Sequence, residues 1–217
     1  MAIHGGFNAW YHIVWSVDTT QATSSNRAKV YVNGQQVSSF GTEQYPTQDY
    51  ESQINSAIQH EISSYDGAGN YFDGYLAEVH FTDGTAYTAD DFGEFKSGIW
   101  VPKAPSVTYG TNGFYLDFAD GAAIGDDESG NGNDWTATNL VASDVVPDSP
   151  TNNFAVMNPL HANASGTASE GNLRYAAPAS NWYPILSSFA VSSGKWYAEF
   201  YWDRNSGLYS FVGIATQ

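Results

Sequence analysis

The sequence contains no cysteine, which excludes disulfide bonds, thiolate metal sites and cysteine nucleophiles. Positive charge is also scarce, because 7 lysines and arginines stand against 23 aspartates and glutamates, for a formal net charge of -16. A charge of this sign opposes contact with the phosphates of nucleic acid and with anionic lipid. We therefore expect neither nucleic acid nor a membrane surface as a partner.

Long apolar runs are absent as well. No stretch approaches the ~20 apolar residues that a membrane-spanning helix needs. The first fifteen residues contain no Lys or Arg and no continuous apolar segment, so no signal peptide is predicted. Membrane insertion is not expected.

The chain is rich in aromatic residues and poor in charged residues. Phe, Trp and Tyr make up 16% of the chain and charged residues 14%. This balance is typical of β-sheets whose outer faces are built from small polar residues. A chain of 217 residues can bury roughly 70% of its unfolded surface, so a hydrophobic core is expected.

Alternating patterns predict strands along most of the chain. Residues 10–18 place Tyr11, Ile13, Trp15 and Val17 on one side and His12, Ser16 and Asp18 on the other, which predicts a strand half-buried through its apolar side. In RAKVYVNGQQV (27–37), Asn33-Gly34 indicates a two-residue hairpin turn. The further predicted strands are 54–62, 75–82, 113–118, 195–203 and 208–215. A single helical turn capped by Thr88 is the helix expected before residue 100. The predicted fold class is all-β, an antiparallel β-sandwich of concanavalin A-like or jelly-roll type with little helix.

Several motifs resemble known modules of virion proteins. The segments AWYHIVWSVD (9–18), KVYVNG (29–34) and FDGYLAEVHFTDG (72–84) together resemble the second half of a concanavalin A-like or laminin-G-like sandwich from tail-fibre and other virion proteins of marine phages. The segments SSGKWYAEFYWD (192–203) and VGIA (212–215) are similar to the opening of a SPRY-type sandwich. Each module is incomplete, and open sheet edges recruit another chain. The partners implied are copies of the protein itself or other virion subunits.

The motifs divide the chain into three predicted parts. Residues 1–100 form the half sandwich, and residues 101–150 form a connector with a short strand and an acidic Gly/Asn loop. Residues 151–217 form an irregular traverse followed by the SPRY-like strands. The three parts together could also make one composite domain.

A loop rich in Asp, Asn and Gly, residues 126–134, is the candidate ion site. Alternating oxygen-bearing side chains can converge on one hard cation, as at the opening of a calcium loop. The candidate ligands are Asp127, Ser129, Asn131 and Asn133. The twelfth position is Thr138 and not the bidentate Glu of a complete loop. The alternative is a solvated turn built by Asn-Gly and Gly-Asn steps.

The sequence gives weaker support for a transition-metal site and for a catalytic site. His12, His60 and His80 lie in predicted strands, and convergence on a transition metal would need a geometry that the sequence does not specify. Strand carboxylates occur, but none of the strands carries the in-phase acidic trio of sandwich glycosidases. These carboxylates are Asp18, Glu78, Asp117, Glu199 and Asp203. We therefore expect no enzyme activity.

Two aromatic residues stand beside polar ones in predicted loops, where a ring can stack on a sugar while Asp or Asn binds hydroxyl groups. Trp135 with Asp134, and Tyr71 with Asp73, are the candidate glycan contacts. A ring tucked under a turn is the alternative for Trp135.

The leading functional hypothesis is a non-catalytic structural protein of a phage virion. It would belong to a tail fibre or an outer capsid attachment, would be assembled in the host cytoplasm, and would contact host-surface glycan weakly. Calcium is the candidate cofactor. The alternative is a carbohydrate-binding module of a secreted marine bacterial protein or polysaccharide hydrolase.

Overall fold

The computed structural model describes most of the chain. The described residues are 2–5, 9–65, 69–72, 74–153, 155–158, 165–178, 183–202 and 212–213. They contain eleven short strands and three single-turn 3-10 helices. Every strand pair is antiparallel. The predicted fold class, all-β with antiparallel sheets and little helix, is confirmed.

The chain separates into two compact units, Met1–Phe154 and Ala155–Gln217. The predicted connector, residues 101–150, lies in the first unit. The three-part division with boundaries at 100 and 150 stays a prediction.

The main sheet of the first unit has five strands in the order β4-β3-β2-β1-β5. Their bounds are β1 Ala2–Gly5, β2 Ala9–Val17, β3 Ala28–Val32, β4 Gln35–Gln36 and β5 Tyr75–Ala77. The β2 pairing with β3 sets Val14 opposite Tyr31 and Trp15 opposite Val30. This register decides which residues share a face of the sheet.

The hairpin between β3 and β4 forms as predicted. Asn33 and Gly34 have φ of 48° and 78°, the left-handed values that a two-residue turn of this kind requires. The Asn33 side-chain oxygen accepts a hydrogen bond from the backbone N–H of His12, at 2.8 Å. The turn is thereby attached to the neighbouring strand β2.

Two further sheets of the first unit have two strands each. Strand β6 (Val79–Phe81) pairs with β9 (Phe114–Leu116), and β7 (Gly93–Lys96) pairs with β8 (Ile99–Pro102). The β7–β8 hairpin, which the sequence analysis did not predict, turns through Ser97-Gly98 with φ of 52° and 81°. In the second unit β10 (Thr167–Ser169) pairs with β11 (Arg174–Ala176).

The predicted strand 75–82 is present but interrupted at Glu78. Glu78 adopts a left-handed backbone conformation, with φ of 55°. Strand β5 before it pairs with β1, whereas β6 after it pairs with β9. One residue thus transfers the chain from one sheet to another, as bulges and bends do.

The core of the first unit packs on one face of the main sheet. Its buried centre is Val14, Ala89 and Phe92, with Tyr31, Tyr87, Trp100 and Val107 packed against it. Ala89 belongs to the predicted helical turn, which is a 3-10 helix over Ala89–Asp91. The Asp91 carboxylate accepts hydrogen bonds from the Thr88 N–H and hydroxyl, so Thr88 does mark the start of the turn.

The core face is not the face that alternation favoured. Val14 shares its side of β2 with His12 and Ser16, and this side meets the core. The opposite side carries Trp15 and Val17, which are 61% and 42% exposed. The reason is that the hairpin β7–β8 and the turn at Ala89–Asp91 cover the mixed polar side instead.

Two strand predictions are wrong in the described residues. Residues 54–62 form turns and bends, and Asn55 and Ser63 have left-handed φ values that break an extended run. Residues 195–202 have no strand, and Asp203 lies outside the described residues. Of the predicted strand 208–215 the structure describes Val212 and Gly213, which are not in a strand.

The helices of the described residues give no membrane span. Each is a single turn, and none has the length and apolar character needed to cross a bilayer.

Candidate functional site

The acidic loop after β9 is organised around the carboxylate of Asp127. One oxygen accepts the N–H groups of Tyr115 and Ser129, at 2.8 and 2.9 Å. The other accepts the Ser129 hydroxyl and the Asn133 N–H, both at 2.9 Å. Four donors from the chain itself therefore surround this carboxylate.

The two asparagine side chains of the loop bind the backbone of the preceding turn. The Asn131 amide donates to the carbonyls of Gly110 and Gly113, at 2.7 and 2.9 Å. The Asn133 amide donates to Thr111 and Gly113, at 3.0 and 2.9 Å. These contacts hold the loop against residues 110–113.

The hydrogen bonds support a structural interpretation of this loop, and calcium binding stays a prediction. Burial of Asp127 raises its pKa, but the surrounding N–H and hydroxyl donors outweigh this effect and hold the pKa below its ordinary value. An ion on Asp127 would have to replace donors that already satisfy both oxygens. In the part of the chain that the structure describes, no cluster of three His, Asp or Glu side chains is arranged to hold a metal.

The candidate glycan residues do not form one described site. Trp135 is half-buried, and its ring packs edge-on against Phe114 with centroids 5.0 Å apart. The Asp134 side chain accepts the Asp127 N–H at 3.0 Å, so it serves the loop. Tyr71 is 69% exposed, and Asp73 lies outside the described residues. For Trp135, glycan contact and a structural role both stay predictions.

The candidate histidines are placed in different environments. His60 is exposed, with its ring nitrogens near the carbonyls of Ile58 and Gln53. His12 and His80 both line a small cavity of about 20 Å³ together with Glu78. The three imidazoles therefore do not meet at one point.

Glu78 and His80 belong to a network that joins β6 to β9. The Tyr115 hydroxyl donates to Glu78 at 2.6 Å, and the His80 ring stacks on Tyr115 with centroids 4.3 Å apart. The Tyr109 hydroxyl lies 2.8 Å from His80 Nδ1. His80 and then the Tyr115 hydroxyl lower the pKa of Glu78, while burial and Glu78 raise the pKa of Tyr109 to about 12.

His12 is held neutral inside the first unit. Its Nδ1 accepts a hydrogen bond from Trp100 Nε1 at 3.0 Å. Burial, followed by repulsion from other positive groups including His80, lowers the pKa of His12 from 6.5 to about 4. A proton on Nδ1 would break the bond to Trp100.

We expect the H12Q variant to lose less stability in acid than the wild type. Between pH about 6.5 and about 4 the unfolded chain binds a proton at His12 that the folded chain excludes, so wild-type stability falls as the pH is lowered through this window. Glutamine keeps an acceptor for Trp100 but does not titrate. Melting temperatures from about pH 7 to about pH 4 measure the difference, with H60Q as an exposed control. Parallel curves for wild type and H12Q would contradict the prediction.

The carboxylates that were predicted to lie on strands are engaged separately. Asp18 accepts from Thr20 and Gln21, Glu78 from Tyr115, and Asp117 from the Ala119 N–H. Glu199 accepts from the Tyr197 hydroxyl. Among these described carboxylates, each is occupied by a donor close to it.

A polar cleft lies where β2 ends and β3 begins, on the same side of the sheet as Val14. Its cavity volume is about 230 Å³. The side chains that line it are Ser16, Asp18, Gln21, Asn26, Lys29, Tyr31, Ala86 and Thr88. Ser16 and Lys29 are cross-strand partners, and Tyr31 follows two residues after Lys29 on the same face.

The sequence analysis placed no site at this cleft. Alternation in β2 sets Ser16 and Asp18 on one side, which was visible in the sequence. The partner residues Lys29 and Tyr31 are joined to them by the β2–β3 register. A ten-residue loop separates the two strands, and a loop of that length does not specify a register.

Comparison with known proteins finds one family. Residues 6–91 match the model of the concanavalin A-like lectin/glucanases superfamily. The match covers less than half of the chain and contains the main sheet from β2 to β5. It agrees with the β-sandwich class predicted from the sequence. Neither the curated proteins nor the solved structures contain a significant match.

Proposed function

We propose that the protein is a non-catalytic structural protein of a phage virion, located in a tail fibre or an outer capsid attachment. It works by assembling with copies of itself, and it makes weak contact with host glycan. The single observation that carries the proposal is the apolar face of the main sheet.

This apolar face is the side of the sheet opposite Val14. It is formed by Tyr11, Ile13, Trp15, Val17, Val30, Val32 and Leu76, as the strand register requires. None of these side chains is fully buried, and Trp15 is 61% exposed. No charged residue is among them, although the chain has 23 acidic residues.

A second copy of the same sheet suits this face. Sheets pack face to face at about 10 Å through interdigitated apolar side chains. Burial of apolar surface stabilises association by roughly 25 cal/mol per Å². Because the face has no charge, two strongly acidic chains can meet there without setting carboxylates opposite one another.

The glycan part of the proposal is supported by the superfamily match, since that family is described as lectins and glucanases. The non-catalytic part is supported by the separate engagement of Asp18, Glu78 and Asp117 with donors of the protein. A glycosidase instead pairs two carboxylates across one bond.

The virion part of the proposal rests on the motifs of the sequence. AWYHIVWSVD (9–18) and FDGYLAEVHFTDG (72–84) resemble virion proteins of marine phages. The SPRY-like interpretation of residues 192–215 belongs to the same proposal. Copies of the chain, or other virion subunits, are the expected partners.

Light scattering coupled to size-exclusion chromatography tests the assembly. We expect the wild type to form a dimer or larger oligomer, and W15S to weaken it by at least about tenfold in dissociation constant, because a large aromatic side chain at the centre of an interface contributes strongly. The matched control is I99S, which removes an apolar side chain that is 67% exposed on another sheet. A monomeric wild type, or equal effects of W15S and I99S, would overturn the proposal.

A further inference from the structure

The cleft where β2 ends and β3 begins has polar side-chain groups with no hydrogen-bond or ion-pair partner among the described residues. Within the described residues, no hydrogen bond or ion pair engages the side chains of Ser16, Asn26 and Lys29 or the hydroxyl of Tyr31. Lys29 is half-buried, and an acidic chain would ordinarily supply a carboxylate for such an ammonium group. These groups are therefore available to a ligand.

Hydrogen bonds fix Asp18, which lines the cleft, and the loop between β2 and β3. Asp18 Oδ1 accepts the N–H and hydroxyl of Thr20, and Oδ2 accepts the Gln21 amide at 2.6 Å. Arg27 donates to the carbonyls of Gln21, Ala22 and Pro46 at 2.7 to 3.0 Å. Preorganised polar groups of this kind reduce the entropy lost on binding.

Asp18 keeps the capacity to accept from a ligand. A carboxylate offers about four acceptor sites, and three donors occupy it here. The cleft thus presents one acceptor-only group in Asp18, one donor-only group in Lys29, and groups that do both in Asn26, Ser16 and Tyr31.

The size and charge of the cleft select the ligand. About 230 Å³ is below the roughly 300–1,000 Å³ of sites for drug-sized molecules, so one small group fits. The cleft contains both donors and acceptors, which suits hydroxyl groups, because each hydroxyl group donates and accepts. A net charge of -16 opposes ligands that carry a carboxylate, sulfate or phosphate.

We propose that this cleft binds one neutral sugar ring of a glycan. Lys29 and Asn26 donate to sugar oxygens, and Asp18 accepts from a sugar hydroxyl. The apolar atoms of Tyr31 and Ala86 meet the C–H groups of the ring. This assignment rests on the glycan part of the proposed function, and it moves the contact from Trp135 and Tyr71 to the main sheet.

Saturation-transfer NMR with single sugars tests the assignment. The probes are glucose, galactose, mannose, N-acetylglucosamine and glucuronate, each with the full chain. We expect signals from at least one neutral sugar and none from glucuronate. K29M should raise the dissociation constant by about tenfold, which corresponds to about 1.4 kcal/mol, because it removes a hydrogen bond from a charged group. N26A removes a neutral hydrogen bond and should raise the dissociation constant by about fivefold. K96M, which removes an exposed ammonium group elsewhere, is the control.

Each contrary outcome overturns a different statement. If Y71A abolished sugar binding and K29M left it unchanged, the sugar would bind elsewhere than in the cleft. The proposed glycan contact would stand, and its assignment to the cleft would be wrong. Glucuronate binding alone would overturn the neutral class. The absence of all sugar signals from a chain that still assembles, as measured by light scattering, would overturn the cleft assignment and leave the assembly intact. If the variants melt at the same temperature as the wild type, the loss of sugar binding results from the change in the cleft and not from unfolding.

Discussion

Replacing Trp100 by alanine should lower the free energy of unfolding of the first unit by about 3 kcal/mol or more, because a large aromatic side chain leaves a cavity that the surroundings cannot fill. Trp100 lies over two glycines. A Cβ atom added to Gly34 or Gly93 would come within 2.3 and 2.5 Å of the indole ring, so the β3–β4 turn and the start of β7 are both in direct contact with it. Its Nε1 also donates to His12, and Phe95 packs edge-on at 5.0 Å.

Chemical denaturation of W100A measures this loss. The control is W196A, because Trp196 is 70% exposed and removing it should change stability by less than about 1 kcal/mol. If the two variants were equally stable, Trp100 would not be the residue that joins the β3–β4 and β7–β8 hairpins. The H12Q variant retains an acceptor for Trp100 Nε1 and removes only the imidazole ring that stacks on Trp100, with centroids 5.8 Å apart.

Replacing Asp127 by asparagine should destabilise the first unit by about 2–4 kcal/mol. The amide nitrogen of the new side chain would face either the Tyr115 and Ser129 N–H groups or the Ser129 hydroxyl and the Asn133 N–H, where the carboxylate now accepts. Hydrogen bonds to a charged group contribute about 1.5–3 kcal/mol each, and the partial exposure of this loop reduces their sum. Because the pKa of Asp127 is depressed, its contribution is present above the ordinary pKa of 3.8 and is lost as the pH falls below it.

The neighbouring residue supplies the control for Asp127. D126N removes the same charge from an exposed side chain and should change stability by less than about 0.5 kcal/mol. The same two variants test calcium. We expect added Ca²⁺ to leave the melting temperature of the wild type unchanged. A rise in wild type and D126N that is absent in D127N would restore calcium to the loop and contradict the structural interpretation.

The sequence predicted correctly those turns whose conformation depends on the residues within the turn itself. Asn33-Gly34 specified its own turn, because few residues adopt left-handed φ values easily. Thr88 marked the start of a helical turn for the same local reason. The strand prediction for residues 54–62 was wrong. It relied on the even spacing of Ile54, Ile58 and Ile62, but Asn55 adopts a left-handed conformation that interrupts an extended strand.

Which face of a strand meets the core could not be read from alternation. The apolar side of β2 was expected inside, but Val14 on the mixed side contacts Ala89 and Phe92. That choice depends on where residues 87–102 return to the sheet, which is a tertiary property. Trp135 could be named as a candidate because its polar neighbours are adjacent in the sequence. The cleft near Lys29 could not be predicted, because its residues meet only through the tertiary structure.

The two surfaces of β2 are separated by a single step along the backbone. Even-numbered residues such as Val14 and Ser16 serve the core and the cleft, and odd-numbered residues such as Trp15 and Val17 lie on the apolar face. Substitutions in β2 should therefore alter the proposed sugar binding and the proposed self-association one at a time. Inserting or deleting one residue within β2 would invert the strand and exchange both properties together, so length changes here should be tolerated only in pairs.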